Sequence, residues 1–324
     1  MIRPFIKWAG GKTRVLPDLL PRLPAADCLI EPFVGGAAVF LATDYRRYVL
    51  ADINPDLINL YRCTTRYTEM VIESAREIFD KFNSPEGYSK IRNAFNQQKV
   101  SGRVIGHSLE NIARASQFLY LNRHGYNGMC RYNLSGGYNV PRGKYKSIYF
   151  PEDEMRQFAE KANDTKALFL CAPFQQTLQV MTGGDNVVYC DPPYLPTSET
   201  ASFTQYHTEP FTEDSHRQLV QALLEVNRKH GAPVIISNSD TEATREIYQP
   251  FKLHEISVRR SVSADKDNRQ KAQEVIGVLP VCDCCGRHGG GYCPDCGPVM
   301  GGATYAEMVS KSRGIGFDGE EVFQ

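Results

Sequence analysis

The stretch Val187-Val188-Tyr189-Cys190-Asp191-Pro192-Pro193-Tyr194, VVYCDPPY, decides how the rest of the chain is read. Four residues of β-forming character predict a buried strand, and two consecutive prolines forbid its extension. The strand therefore finishes on a carboxylate in a stiff turn, with an aromatic ring just beyond. An amino group on a nucleobase is planar and a poor nucleophile, because its lone pair is delocalised into the ring. A carboxylate and a backbone carbonyl at one end of a turn can accept both of its hydrogens and draw the nitrogen toward tetrahedral geometry. Asp191 and the Pro192 carbonyl have that character, and the prolines contribute no N–H groups that would mask the acceptors. Tyr194 offers a face on which a displaced base can stack, at about 1–3 kcal/mol by analogy with single-strand binders. The plain alternative is a strand end with a capped turn.

Working outward, residues 27–33, 48–52 and 233–238 join 187–191 as buried strands of a parallel-type sheet. Helical patterns fall at 37–42, 56–65, 212–229 and 241–248. This alternation predicts an α/β fold with a doubly wound, Rossmann-like sheet, and residues 252–259 and 274–278 read as an antiparallel pair at its edge. Residues 60–160 break the rhythm: they are helical to about Tyr120, then rich in Gly, Asn and Tyr, with Asn127-Gly128 as a strong turn signal. The expected organisation is a discontinuous catalytic domain (1–58 and 160–280), a mostly helical insert carrying a basic hairpin (59–159), a cysteine-rich segment (281–300) and a tail (301–324).

Ligands of an open parallel sheet bind beyond the carboxyl ends of its strands. There the first strand runs into Glu31-Pro32-Phe33-Val34-Gly35-Gly36, whose small residues let backbone approach a ligand, and the second ends on Asp52, an acid suited to ribose hydroxyls. Taken singly, these are a turn and a helix cap. The segment AGGKT, residues 9–13, imitates a phosphate loop, but that motif needs glycine where the chain has Ile6.

Composition narrows the class. The chain has 324 residues, 42% apolar and 23% charged, with a formal net charge of zero. No apolar run reaches the roughly 18 residues of a membrane span, and the N-terminal sequence has no export signal, so the expected compartment is the cytoplasm. Charge is segregated: residues 111–151 contain no Asp or Glu but hold Arg114, Arg123, Arg131, Arg142, Lys144 and Lys146. Interleaved with Tyr126, Tyr132, Tyr138 and Tyr145, these cations offer phosphate charge and stacking surface for nucleic acid. Packing against the domain is the plain reading for most of the tyrosines, whereas Tyr126 and Arg131 are expected to serve DNA. Cys28, Cys63, Cys130, Cys171 and Cys190 are scattered and are expected to be small buried side chains. Cys282-x-x-Cys285 and Cys293-x-x-Cys296, seven residues apart, have the spacing of a structural Zn²⁺ knuckle held by four cysteines, with Cys284 and His288 as competing ligands. That segment is suited to an extra DNA contact, docking on the catalytic domain, or a protein partner.

With these motifs in hand, the chain resembles the Dam-type (class D12) adenine-N6 DNA methyltransferases that use S-adenosylmethionine. The likeness runs over roughly residues 3–280 and rests on FIKWAGGK (5–12), EPFVGGAAVF (31–40), LADIN (50–54), FLYLNRHGYNGMCRYN (118–133), VVYCDPPY (187–194) and ISNSDT (236–241), in that family's order. Residue by residue, the resemblance implies that Trp8, Lys12, Asp52 and Asp191 contact the cofactor and that the loop around Phe33 and Gly35 closes over it. It implies a catalytic face of Asp191, Pro192 and Tyr194, with Lys7 near a target adenine flipped out of duplex DNA. Tyr126, Asn127 and Arg131 would belong to the hairpin that enters the duplex and reads bases, with Met129 where the family tends to have Leu. Arg142 is counted among the DNA-contacting cations. The chain departs from the family at Ala37, where a second glycine is usual, and at SADKDNRQK (263–271), where two acids join a basic linker. GATC is the target the hairpin's resemblance implies, a monomer the expected state, and restriction-modification one setting. Two rivals are a methyltransferase acting on protein glutamine or RNA bases, and a DNA-binding module with a decayed catalytic site. The hairpin speaks against the first; intact Trp8, Lys12, Asp52 and Asp191 speak against the second.

Overall fold

The computed structural model describes residues 2–98, 109–179, 185–195, 211–259 and 271–279, with the short pieces 292–293 and 297–298. Its strands are β1 (Cys28–Glu31), β2 (Arg47–Asp52), β3 (Leu168–Cys171), β4 (Asn186–Cys190), β5 (Val234–Ser239), β6 (Lys252–Arg259) and β7 (Lys271–Val278). They form one seven-stranded sheet in the order β3-β2-β1-β4-β5-β7-β6. The first five of these run parallel, and β7 pairs antiparallel with both β5 and β6. The helices are α1 (Leu16–Leu19), α2 (Ala38–Ala42), α3 (Pro55–Arg66), α4 (Thr68–Lys81), α5 (Pro85–Gln97), α6 (Leu109–His124), α7 (Glu152–Asp164), α8 (Phe174–Gln179), α9 (Glu213–His230) and α10 (Glu242–Ile247).

Strand alternation divides the core in two. Leu29, Leu50, Val187, Tyr189 and Ile235 point into one core with Leu57 and Ile58 of α3 and Phe158 of α7. Cys28, Ile30, Val188, Cys190, Val234 and Ile236 point into the other, with Leu219 and Leu223 of α9 and Ile247 of α10. Helices thus cover both faces, as the sequence pattern predicts. Local signals set their ends. Asn54 caps α3 by accepting from the Asp56 and Leu57 N–H groups, ahead of Pro55. Thr212 and Ser215 make a reciprocal capping box on α9, and Gly231 closes that helix at φ 64°.

One expectation is corrected. Residues 168–171 are absent from the strands read in the sequence, yet they form the edge strand β3 beside β2. Residues 167–172, ALFLCA, carry an unbroken apolar run, but β3 is only four residues long and exposed at both ends. Its last residue, Cys171, is exposed, unlike Cys28, Cys63, Cys130 and Cys190. The expected domain limits at 58 and 159 lie within α3 and α7. Residues between them share one core with the sheet: Phe79, Tyr88, Phe95, Phe118, Tyr120 and Tyr138 belong to the same apolar cluster as Leu29 and Leu50. No helix among the described residues is long and apolar enough to cross a membrane.

Candidate active site

The carboxyl ends of β1, β2, β4 and β5 meet the N-terminal segment that carries Trp8 and Lys12. Asp191 follows β4 directly, because the proline pair ends the strand at Cys190. Its Oδ1 lies 2.6 Å from Lys12 Nζ and accepts from Ser237 Oγ of β5 at 3.1 Å. Ser237 spends its proton there, so the Tyr189 hydroxyl, 2.8 Å away, donates to Ser237. Lys12 uses its remaining hydrogens on Gly10 O at 3.1 Å and the Tyr194 hydroxyl at 2.8 Å, and the ammonium sits 4.6 Å from the Tyr194 ring centroid. The Tyr194 hydroxyl in turn donates to Glu274 Oε2 of β7 at 2.7 Å. Both partners of Asp191 fall on Oδ1; among the described residues Oδ2 takes no hydrogen bond, and neither does the Pro192 carbonyl. Burial raises the Asp191 carboxyl while Lys12 pulls it down.

The neighbouring turn is built for close approach. Gly35 sits at φ 45°, and a Cβ there would stand 2.9 Å from Trp8 Nε1, so the indole lies directly on the turn. Ala37 adopts φ 58°, the left-handed conformation glycine takes at no steric cost. The departure from the family pattern therefore falls where a glycine would relax the backbone. Asp52, at the end of β2, accepts from Gly35 N at 3.2 Å and Asn54 N at 2.9 Å. Burial pushes its carboxyl up to about 6 against those two N–H groups. Phe33 packs against Phe174 and Phe211 at 5.9 and 5.7 Å between ring centroids. Glu31 is fully buried, its Oε1 has no hydrogen-bond partner among the described residues, and burial, reinforced by the charge of Asp191, pushes it up to about 8.

The hairpin lies on the other side of the N-terminal segment. Asn122 of α6 brackets Lys7, accepting from its N–H at 2.9 Å and donating to its carbonyl at 2.7 Å. It also donates to Gly128 O at 3.2 Å. A Cβ on Gly128 would fall 2.1 Å from the Lys7 Cβ, so this contact requires glycine. The Lys7 ammonium lies 4.0 Å from the Tyr145 ring centroid and donates to Arg123 O. Tyr126 is 50% exposed and Asn127 is exposed at φ 52°. Met129 is half-buried against the core, and Arg131 Nε is held by Asn139 Oδ1 at 2.7 Å. Arg142 reaches Asn83 at 3.5 Å. Tyr132, Tyr138 and Tyr145 are packed inward, bonding Asp56 Oδ2, Met129 O and Gly125 O. Arg114 is likewise internal, ion-paired with Asp56 at 2.6 Å.

The structure thus brings together Trp8, Lys12, Gly35, Asp52, Asp191 and Tyr194, and places Lys7 with Tyr126, Asn127 and Arg131 around the hairpin. Sequence reasoning misses Tyr189, Ser237 and Glu274. In the sequence Glu274 is only a strand residue, and the alternation of β7 against β5 is the signal that could turn it toward the site. Cys282, Cys285 and Cys296 lie outside the described residues, as does the Cys293 side chain. Among the described residues no group of three or more His, Cys, Asp or Glu could hold a metal.

Comparison with known proteins agrees with this layout. Residues 8–262 match the family described as D12 class N6 adenine-specific DNA methyltransferase. The DNA adenine methylase of Escherichia coli (strain K12) is 47% identical over 277 residues, covering 85% of this chain and 95% of that protein. The DNA adenine methylase of Serratia marcescens is 46% identical over 277 residues, 85% and 98% of the two chains. That of Haemophilus influenzae is 43% identical over 280 residues, 86% and 93%. The match spans the glycine turn, the hairpin and the Asp191 turn together, and the chain belongs to the D12 class N6 adenine-specific DNA methyltransferase family, enzymes that methylate adenine in DNA.

Proposed function

We propose that this enzyme methylates N6 of an adenine flipped out of duplex DNA, within GATC, with S-adenosylmethionine as donor. The donor supplies an electrophilic methyl group on a sulfonium. Trp8, Lys12, Phe33, Gly35, Asp52 and Asp191 are the residues to hold it: the Trp8 indole packed on the turn at Gly35 offers an aromatic wall, and Asp52 is an acceptor poised beside that turn. The observation that carries the reading is the pair of open acceptors on one rigid turn. Asp191 Oδ2 and the Pro192 carbonyl accept the two amino hydrogens, so the N6 lone pair faces the methyl carbon. Formation of the N–C bond would break the S–C bond, whose electron pair stays on sulfur as a neutral thioether, and one of those hydrogens would then leave N6 as a proton, by way of Asp191 Oδ2, to solvent. Tyr194 supplies the stacking face, and Lys12, now beside its ring, shifts toward the donor as the base enters. Flipping costs a few kcal/mol, offset by stacking and by Tyr126 filling the vacated space. Lys7, Asn127, Met129 and Arg131 line the approach from the hairpin, and Arg142 takes phosphate.

A structural Zn²⁺ held by Cys282, Cys285, Cys293 and Cys296 extends the proposal. It is supported by the spacing and by the antiparallel pairing of Tyr292–Cys293 with Gly297–Pro298, a chain reversal of the kind such knuckles make. Metal analysis of the purified chain, before and after chelation, checks it: one equivalent lost with Cys282→Ser is expected, and metal-free protein would refute it.

The central test is methyl transfer from labelled S-adenosylmethionine to two duplexes identical except for one GATC, with Asp191→Ala alongside. Label as N6-methyladenine in the GATC duplex alone, and none with Asp191→Ala, is expected. Label in both duplexes would discard the reading of Arg131 and keep the chemistry.

A further inference from the structure

We infer that His216 of α9 is a positioning residue for methyl transfer, the first link of a closed relay, His216–Tyr248–Asn238, that clamps the backbone of the Asp191–Tyr194 turn from behind. The inference rests on the reading of that turn given above. Its starting point is a deficit: Pro192 and Pro193 have no N–H groups, so the turn can be anchored only through carbonyls and through the N–H groups that follow. The protein uses one of each. His216 Nε2 lies 3.0 Å from Pro193 O, and Leu195 N donates to Asn238 Oδ1 at 3.3 Å. The two anchors are joined, because His216 Nδ1 lies 3.0 Å from the Tyr248 hydroxyl and Asn238 Nδ2 donates to that hydroxyl at 3.2 Å.

Chemistry fixes every proton in this ring. A carbonyl only accepts, so Nε2 carries the imidazole hydrogen. In a neutral ring Nδ1 is then an acceptor, and the Tyr248 hydroxyl donates to it. The tyrosine oxygen takes the Asn238 amide, whose own oxygen is oriented by the N–H groups of Leu195 and Ser239. All three side chains are fully buried, and burial pushes His216 down to about 4, which keeps the ring neutral. Packing alone does not call for a histidine here. His216 sits on the buried stripe of α9 with Leu219, Val220 and Leu223, where an aliphatic residue would satisfy the core. What an aliphatic residue cannot do is hold Pro193 O. Lys12 and Ser237 fix the turn at Asp191 and the relay fixes it at Pro193 and Leu195. The Pro192 carbonyl lies between the two clamps, aligned as an acceptor.

The experiment measures single-turnover methylation, KM for donor and for duplex, and melting temperature. The variants are His216→Leu, His216→Gln, Tyr248→Phe and the double His216→Leu/Tyr248→Phe. A misplacement of the acceptor carbonyl is expected to cost His216→Leu about 10²-fold in the chemical step, with both KM values within about threefold. Glutamine can donate and accept in the same places, and His216→Gln is expected to recover to within about tenfold of the parent. Because the residues act as one relay, the double variant should be within about twofold of His216→Leu alone. Full activity in His216→Leu, or no recovery in a His216→Gln that melts at the parent temperature, would overturn the inference. If His216→Leu does not fold, Tyr248→Phe decides: a slowed chemical step supports the relay and an unchanged one overturns it. A histidine-like step in the rate between roughly pH 6 and 9, lost in His216→Gln, would make the residue a proton carrier and likewise overturn positioning. Asp191→Ala separates the two levels: if it stays active, the reading of the turn itself fails, whereas an inactive Asp191→Ala beside a fast His216→Leu removes only the relay.

Discussion

The Asp191 turn and the hairpin of residues 125–142 are both loops, and they differ in how much of each is held by other segments. Around the turn, side chains from four other segments converge: Lys12 from the N-terminus, Ser237 and Asn238 from β5, Glu274 from β7 and His216 from α9. The hairpin is tied at its base by Asn122 and Asp56 and by Tyr88, Arg92 and Asn96 of α5, which hold Val140 O and the Tyr138 backbone, while its outer residues are held by their own turn, Asn133 closing on Gly136 and Gly137. Leu134 at its tip is 91% exposed. The difference fits what each region is proposed to handle. Transfer needs acceptors fixed to a fraction of an ångström before the amine arrives, which an over-constrained turn supplies. Reading a duplex needs side chains free to meet base edges and phosphates, and the hairpin leaves Tyr126, Asn127 and Leu134 exposed above a base in which Cys130, Tyr138 and Val140 are buried.

Substitutions that act on one region alone sharpen this contrast, and any that act on both would break it. Asp191→Asn retains shape but loses charge and half of its acceptor capacity. Its rate should fall at least about 10²-fold, while the ratio of binding to cognate and one-base-altered duplexes stays as in the parent. Loss of that ratio would couple the two regions. Arg131→Ala should do the reverse, costing about 1–3 kcal/mol of discrimination at the base it reads. Rates at saturation on the cognate duplex should change little, and competition between cognate and altered duplexes is the readout. Arg142→Ala should weaken all duplexes alike and reduce the slope of log affinity against log salt by about 1; a sequence-dependent loss would promote it to a base reader. The smallest effect is on stability. Glu31 has its carboxyl pushed from an ordinary 4.5 to about 8, first by burial and then by Asp191. The folded state therefore favours its protonated form, so that contribution is intact below about pH 4.5 and is lost as pH rises through about 8. Glu31→Gln should melt with the parent near about pH 5 and above it near about pH 9. Equal melting temperatures at both would mean that Glu31 is ionised in the fold.

Much of this is legible in the sequence. The central strands announce themselves as apolar runs, and the proline pair marks the turn proposed to be catalytic, because both features are local. The acid-free window marks the region proposed to read DNA for the same reason. What escapes is whatever depends on a neighbour distant in the chain. The apolar run at 167–172 is too short to be told from an extension of the preceding helix, and its pairing with β2 is what makes it a strand. That Tyr132 and Tyr138 pack inward while Tyr126 stays exposed is as expected, but the partners that hold them, Asp56 and the Met129 carbonyl, are not legible in the sequence. His216 is, in the sequence, one of seven histidines with no motif around it. The available signal is a polar residue on the buried stripe of α9, three and four residues ahead of Leu219 and Val220.

One consequence of the glycine turn is spectroscopic. Trp8 is the only tryptophan in the chain, and its indole rests on Gly35 and Gly36. Excited at the red edge of protein absorption, the whole molecule therefore emits from a single reporter seated where the methyl donor is proposed to lie. A donor or product analogue entering that space changes the polarity and quenching around one fluorophore, with no background from elsewhere in the chain. The unlabelled protein carries its own gauge of cofactor occupancy, and every variant that spares Trp8 can be titrated with it before any DNA is added.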